Sequence, residues 1–180
     1  RATLPLLQRS DDGRILLFSG GGAFGPRPNY SAYAASKAGV VSLMETLAAE
    51  LAGASVSVNC VAPGFIPTGM HAATWEAGPD RAGEAAYREV VEETAQDDGS
   101  ALVNVLDCVM HLLGPQTKGL TGKTVSAQWD AWRSISPETV GVVNRSDTGR
   151  VRRDKIPAFD ASGGYFYQTM PPGGRVRVLR

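Results

Sequence analysis

Arg14-Ile-Leu-Leu-Phe-Ser19, a Gly/Pro loop from Gly20 to Tyr30, a helical stretch from Ser31 to about Ala52, and Ser55-Val-Ser-Val-Asn-Cys-Val61 follow one another directly. The first and last segments are short and apolar almost throughout, as expected of strands buried on both faces of a parallel sheet. Between them Val40, Leu43, Met44, Leu47 and Leu51 recur at helical spacing, with Ser31 as a candidate N-cap and Gly53 as a stop. A strand, a helix and a strand of these lengths predict a right-handed parallel crossover.

Outward from this unit, residues 69 to 98 are polar and helical with a break at Gly78-Pro79, the pattern of a lid or flap. A further helix fits Ser100 to Leu113, and Lys123 to Gln128 follows Leu120-Thr121-Gly122 as a third strand. Beyond Trp132 the periodicity fades into a Gly/Pro/Arg-rich stretch, so residues 1–132 read as one α/β unit and 133–180 as a basic C-terminal extension. From Arg145 onward eight basic residues face three acidic ones, whereas the whole chain balances 18 against 18. Net neutrality leaves no global field to draw nucleic acid or an anionic membrane. A composition of 43% hydrophobic and 20% charged residues without repeats excludes disorder and collagen. Two cysteines and two histidines at no zinc-like spacing argue against a metal site and a disulfide framework, which points to a reducing cytoplasm. The chain opens on Arg1 and reads as the later part of a longer polypeptide.

The chemistry concentrates in Tyr33-Ala-Ala-Ser-Lys37, where a tyrosine and a lysine lie one helical turn apart on one face. A phenol is a poor base at neutral pH, but a cation held beside it favours the phenolate, so the pair suits general acid–base work. On the bare pattern, a surface lysine beside an interfacial tyrosine is the competing reading. The strand ending at Ser19, the glycine-rich loop, Tyr33 and Lys37, and then Asn59-Cys-Val-Ala-Pro-Gly-Phe-Ile-Pro-Thr68 together resemble the short-chain dehydrogenase/reductase family, from about Ala2 to Trp129.

The resemblance implies an α/β, Rossmann-like doubly wound parallel sheet, incomplete here, with about three strands and their flanking helices present. It implies an NAD(P)-dependent oxidoreductase that moves a hydride between nicotinamide and a secondary alcohol or ketone. Tyr33 would exchange the proton, Lys37 would assist it and hold the nicotinamide ribose, and Ser19 would bond the substrate oxygen. Pro63, Gly64, Ile66 and Thr68 would form the loop receiving the carboxamide, and Asn59 would brace it. The family's serine commonly lies thirteen residues before its tyrosine, which here is Gly20; Ser19 lies fourteen before, an offset that Gly20-Gly21-Gly22 could absorb.

Gly20-Gly-Gly22-Ala-Phe-Gly25 also fits a dinucleotide fingerprint, but Pro26 and Pro28 separate it from any helix start, so no helix N-terminus points at a pyrophosphate. The family's cofactor turn, adenine-side selector and helix-four asparagine have no counterpart, which leaves NAD and NADP equally open. It also implies about 90 further residues at roughly 30 per βα unit. The isolated chain is accordingly expected not to bind dinucleotide tightly. A catalytically inactive fragment or structural subunit is the alternative.

A homodimer or homotetramer through the small-residue face of the Ser31–Ala52 helix is expected, with no nucleic-acid or membrane partner. The apolar strand at 14–19 is expected to be covered by other polypeptide or by the chain's own extension. Trp75, Tyr87, Trp129 and Trp132 are candidate pocket aromatics, with packing as the simpler account of each.

Overall fold

The computed structural model describes residues 2–150 and the backbone of residues 158–159 and 165–166. A short helix, α1 (Leu4–Gln8), leads into β1 (Gly13–Phe18), which crosses through α2 (Ser31–Glu50) to β2 (Val56–Ala62). Helices α3 (Gly69–Ala82), α4 (Glu84–Gln96) and α5 (Ser100–Leu113) precede β3 (Lys123–Ser126), and α6 (Pro137–Arg145) follows it. The sheet order is β1-β2-β3, all parallel, with Gly13 opposite Val56 and Asn59 opposite Lys123. A separate two-residue pair, β4 (Ala158–Phe159) and β5 (Tyr165–Phe166), is antiparallel.

The strands are apolar because both sheet faces are covered. Val56, Val58 and Cys60 of β2 pack with Val41, Met44 and Leu51 on the α2 side. Val61 and Val125 turn to the other side, where Val105, Cys108 and Leu112 of α5, Trp132 and Val140 of α6 close a second core. Alternating strand residues thus feed two layers, the doubly wound arrangement expected of a parallel sheet.

Asn59 is the polar exception in the central strand, 2% exposed. Its amide donates to Leu120 O at 2.7 Å and its carbonyl accepts from Lys123 N at 3.1 Å, so one side chain fixes the approach to β3. Lys123, itself buried, donates from Nζ to Ser146 O (2.6 Å) and Thr148 O (3.1 Å). Thr124 N then donates to Gly149 O at 2.7 Å, so residues 146–149 lie along the outer edge of β3.

Several expectations change. Val41 rather than Leu43 faces the sheet from α2, and Leu43 is half exposed. Tyr30 is the N-cap residue and Ser31 starts α2 without a side-chain cap bond. β3 ends at Ser126, where the chain turns: Ser126 N donates to Asp130 Oδ2 at 2.7 Å. Residues 137–145 form a helix that the fading periodicity did not predict, started by a Ser136–Thr139 capping box with Pro137 in the first turn. Finally, residues 146–149 of the extension lie along β3, and among the described residues β2 is the only strand paired with β1; apart from the β4–β5 backbone, the extension beyond residue 150, one of the expected covers of β1, lies outside the described residues. Leu4 and Leu7 of α1 pack at the β1 side of the α2 core.

Candidate active site

Tyr33 and Lys37 project from the first two turns of α2, beside the C-terminal end of β1. Both are half-buried. Lys37 Nζ lies 5.9 Å from the centre of the Tyr33 ring and donates to Phe18 O, the last carbonyl of β1, at 3.2 Å. The helical spacing predicted from the sequence therefore produces a phenol and an ammonium sharing one corner at the strand end.

Ser19 does not join them. It is 2% exposed and its hydroxyl has no hydrogen-bond partner among the described residues. Gly20 is the residue that meets the tyrosine: a Cβ there would collide with the Tyr33 hydroxyl oxygen and stand 3.7 Å from Lys37 Cγ. Gly20 has extended backbone (φ −175°, ψ 169°), and in extended backbone successive side chains point to opposite sides, so residues 19 and 20 do not share a face. The glycine triplet does not shift the register to bring Ser19 forward. The signal was the count of thirteen from Tyr33, which already pointed to Gly20.

The other loop residues fall along the path from β2 to α3. Pro63 is half-buried and Gly64 has φ +82°, the left-handed region that glycine enters freely. A Cβ on Gly64 would also stand 2.7 Å from Gln128 Oε1, so the turn docks against the segment after β3. Ile66 packs on the α5-side core. Thr68 is exposed and starts α3, its N–H donating to His71 Nδ1 at 3.3 Å in a capping box, while the His71 ring lies 4.2 Å from that of Phe65. Burial pushes the His71 pKa below its usual value, with a partly opposing backbone hydrogen bond at Ile66.

The remaining candidates have structural work. Tyr30 Oη lies 2.9 Å from Thr74 Oγ1 and Arg27 sits over its ring, so it is occupied away from Lys37. Trp132 is buried with its Nε1 donating to Ala127 O, Trp75 pairs with Tyr87 across α3 and α4, and Trp129 is exposed. Gly21–Ala23 forms a short 3-10 turn that does not itself open a helix, and Gly22 packs against Ala34 and the Tyr33 ring in the first turn of α2, where a Cβ would stand 3.1 Å from Ala34 Cα. Among the described residues no cluster of three or more His, Cys, Asp or Glu could hold a metal, and no helix is long and apolar enough to cross a membrane.

A family profile described as short chain dehydrogenase matches residues 1–78. Dehydrogenase/reductase SDR family member 4 of Sus scrofa is 32% identical over 128 residues, covering 69% of this chain and 43% of that protein. The crystal structure of a short chain dehydrogenase from Salmonella enterica serovar Typhi superposes with a TM-score of 0.53 at 30% identity, over 71% of this chain and 46% of that one. The actinorhodin polyketide ketoreductase with NADPH gives 0.53 at 26% identity, over 69% and 48%. With the parallel sheet and the Tyr33–Lys37 corner, these matches make the chain a member of the short-chain dehydrogenase/reductase family. It spans less than half the length of the relatives it matches.

Proposed function

We propose that the chain supplies the proton-transfer half of an NAD(P)-dependent oxidoreductase acting on a secondary alcohol or ketone. The observation that carries this reading is the Tyr33–Lys37 corner at the end of β1, with Lys37 anchored on Phe18 O. The nicotinamide, when bound, supplies or accepts the hydride. Tyr33 Oη gives its proton to the carbonyl oxygen in reduction and takes it back in oxidation, and the Lys37 ammonium favours the phenolate and positions the ribose. Pro63, Gly64, Ile66 and Thr68 are read as the carboxamide loop, supported by the left-handed turn at Gly64 and the free end of β2 from which it leaves. The relative solved with NADPH supports the cofactor class.

In this reading the substrate oxygen receives no serine hydroxyl, because the residue against Tyr33 is Gly20. Loss of one such donor corresponds to about two to three orders of magnitude in rate in comparable oxyanion sites, so slow turnover is expected. That same observation favours a second reading, a non-catalytic subunit that retains the fold. The experiment is Tyr33→Phe and Lys37→Ala in the complete protein, assayed for carbonyl reduction and for dinucleotide binding by fluorescence. Tyr33→Phe should abolish turnover and leave cofactor affinity intact, whereas Lys37→Ala should weaken both. Retained turnover in Tyr33→Phe would refute the acid–base role, and a complete protein without turnover or dinucleotide binding would favour the non-catalytic reading.

Self-association belongs to the same proposal. The outer face of α2 carries exposed Ala32, Ala35, Gly39 and Leu43, small enough along its first half for another helix to approach closely.

A further inference from the structure

Helices α3 and α4 form a polar helical pair joined at Gly83, and three tethers tie this flap to the residues just before α2. Arg27 Nη2 bonds Glu89 Oε2 of α4 at 2.8 Å, and its guanidinium carbon lies 5.4 Å from the centre of the Tyr30 ring. Asn29 Nδ2 donates to Ala82 O, at the last residue of α3, at 3.2 Å. Tyr30 Oη lies 2.9 Å from Thr74 Oγ1; since Thr74 Oγ1 also donates to Met70 O at 3.3 Å, Tyr30 is the donor of the shared bond. Thr74 is 5% exposed, so this bond is sheltered from water, while the Arg27–Glu89 pair is in part solvated.

The joint is shaped for the contact. Gly83 has φ +89°, and a Cβ there would stand 2.5 Å from Asn29 Nδ2, so residue 83 must lack a side chain for the amide to reach Ala82 O. Asn29 itself adopts φ +67°, the only non-glycine residue with positive φ among the described residues. That conformation is unfavourable for a residue with a Cβ and persists where surrounding contacts hold it. A groove of about 410 Å³ runs between the two sides, lined by Arg27, Asn29, Ala82, Gly83, Ala86 and Glu89 among others.

All three tethers originate within four residues, and Tyr33 stands three positions beyond the last of them. We infer that Arg27, Asn29 and Tyr30 are positioning residues that clasp the α3–α4 flap to the first turn of α2, and so set the wall of the substrate site relative to Tyr33. This rests on the reading of Tyr33 as the acid–base group for its catalytic consequence. The clasp itself is independent of that reading, and it predicts that flap order and substrate affinity change together while the proton-transfer step does not.

The test uses the complete protein and three variants: Tyr30→Phe and Thr74→Val, which each remove one side of the shared bond, and Asn29→Gly, which removes the amide and keeps the backbone conformation accessible. Amide exchange followed by mass spectrometry should quicken about fivefold across residues 69–96 in the first two, the equivalent of one net hydrogen bond. Their double variant should quicken no further, because both lose the same bond. Exchange in β1, β2 and β3 should stay as in the parent. In carbonyl reduction KM should rise while kcat holds, the opposite of Tyr33→Phe. Unchanged flap exchange in all three variants, or equal quickening of flap and sheet, would overturn the clasp. A complete protein without turnover but with the selective quickening would uphold the clasp and count against Tyr33.

Discussion

Arg14 offers the sharpest test of how the layers are held together. It is the second residue of β1, its side chain is 8% exposed, and its guanidinium reaches across the sheet end to the C-terminus of α5. Nη1 donates to Leu112 O at 2.7 Å and to Thr117 Oγ1 at 2.9 Å, Nη2 to Gly114 O at 3.1 Å, and Nε and Nη2 grip both oxygens of Asp12 at 2.9 and 2.7 Å. Leu112 O is one of the last-turn carbonyls that a helix cannot satisfy itself. Replacing Arg14 by Met keeps the apolar stem, leaves Asp12 without its cation, and leaves Leu112 O and Gly114 O with only the donors that Thr117 supplies. Breaking a buried pair costs about 3–5 kcal/mol, and because Asp12 remains 32% exposed and can rehydrate, the lower end, about 3 kcal/mol, applies. With a urea slope of about 2 kcal/mol/M, the unfolding midpoint should fall by about 1.5 M. Arg14→Lys should recover less than half of this, since a point charge cannot reproduce the fork.

The pH dependence follows from the same contact. The side-chain hydrogen bond from Arg14 holds the Asp12 carboxyl below its usual pKa, against a smaller opposing effect of burial. A carboxylate with a depressed folded pKa contributes stability above its unfolded pKa and loses it as pH falls through the folded one. The difference between parent and Arg14→Met should therefore be full at pH 7 and narrow below about pH 4. An Arg14→Met midpoint equal to the parent's, or a lysine variant as stable as the parent, would refute the argument.

Two further outcomes are expected. Cys60 and Cys108 are fully buried and burial pushes both thiols up to about 11, so neither should react with iodoacetamide at pH 8 until the chain unfolds; rapid labelling of the native chain would contradict the packing of both cores. Leu43→Glu on the outer face of α2 should lower the mass read by light scattering at micromolar concentration if that face mediates self-association, with circular dichroism unchanged; a parent chain that is already monomeric would refute it.

The elements with an uninterrupted pattern were legible. The α5 boundaries Ser100 and Leu113 coincide with those read from its periodicity, and β1 and β2 agree to within a residue because a strand buried on both faces leaves an unbroken apolar run. The misses share another cause: each depends on a partner outside the element itself. Val41 displaces Leu43 from the core because the helix is rotated to seat Met44 and Leu51 on β2. β3 stops at Ser126 rather than Gln128 because Asp130, four residues on, takes the Ser126 N–H and turns the chain. Short α6 carries few inward residues, Val140 and Val143, too few to show a period. At the site, spacing within one helix sufficed to pair Tyr33 with Lys37. The choice between Ser19 and Gly20 turned on which way one residue faces at a strand end, and a glycine-rich loop hides that from a reading of residue types.

The parallel register has a kinetic consequence. Gly13 meets Val56 across 43 positions and Asn59 meets Lys123 across 64, so no strand pair can zip from a tight turn. Each closes a long loop before any ladder bond forms, which slows assembly relative to a helical bundle or a hairpin-built sheet of equal size. The α2 crossover is the shorter of the two closures, so β1 and β2 are expected to dock first, with α2 as their template. During that interval β2 presents its second edge, rich in Val58, Cys60 and Val61, until α5 and residues 146–149 bring β3 home. Yield on refolding is then a contest between that closure and the capture of the same edge by a second molecule, and it should improve on dilution.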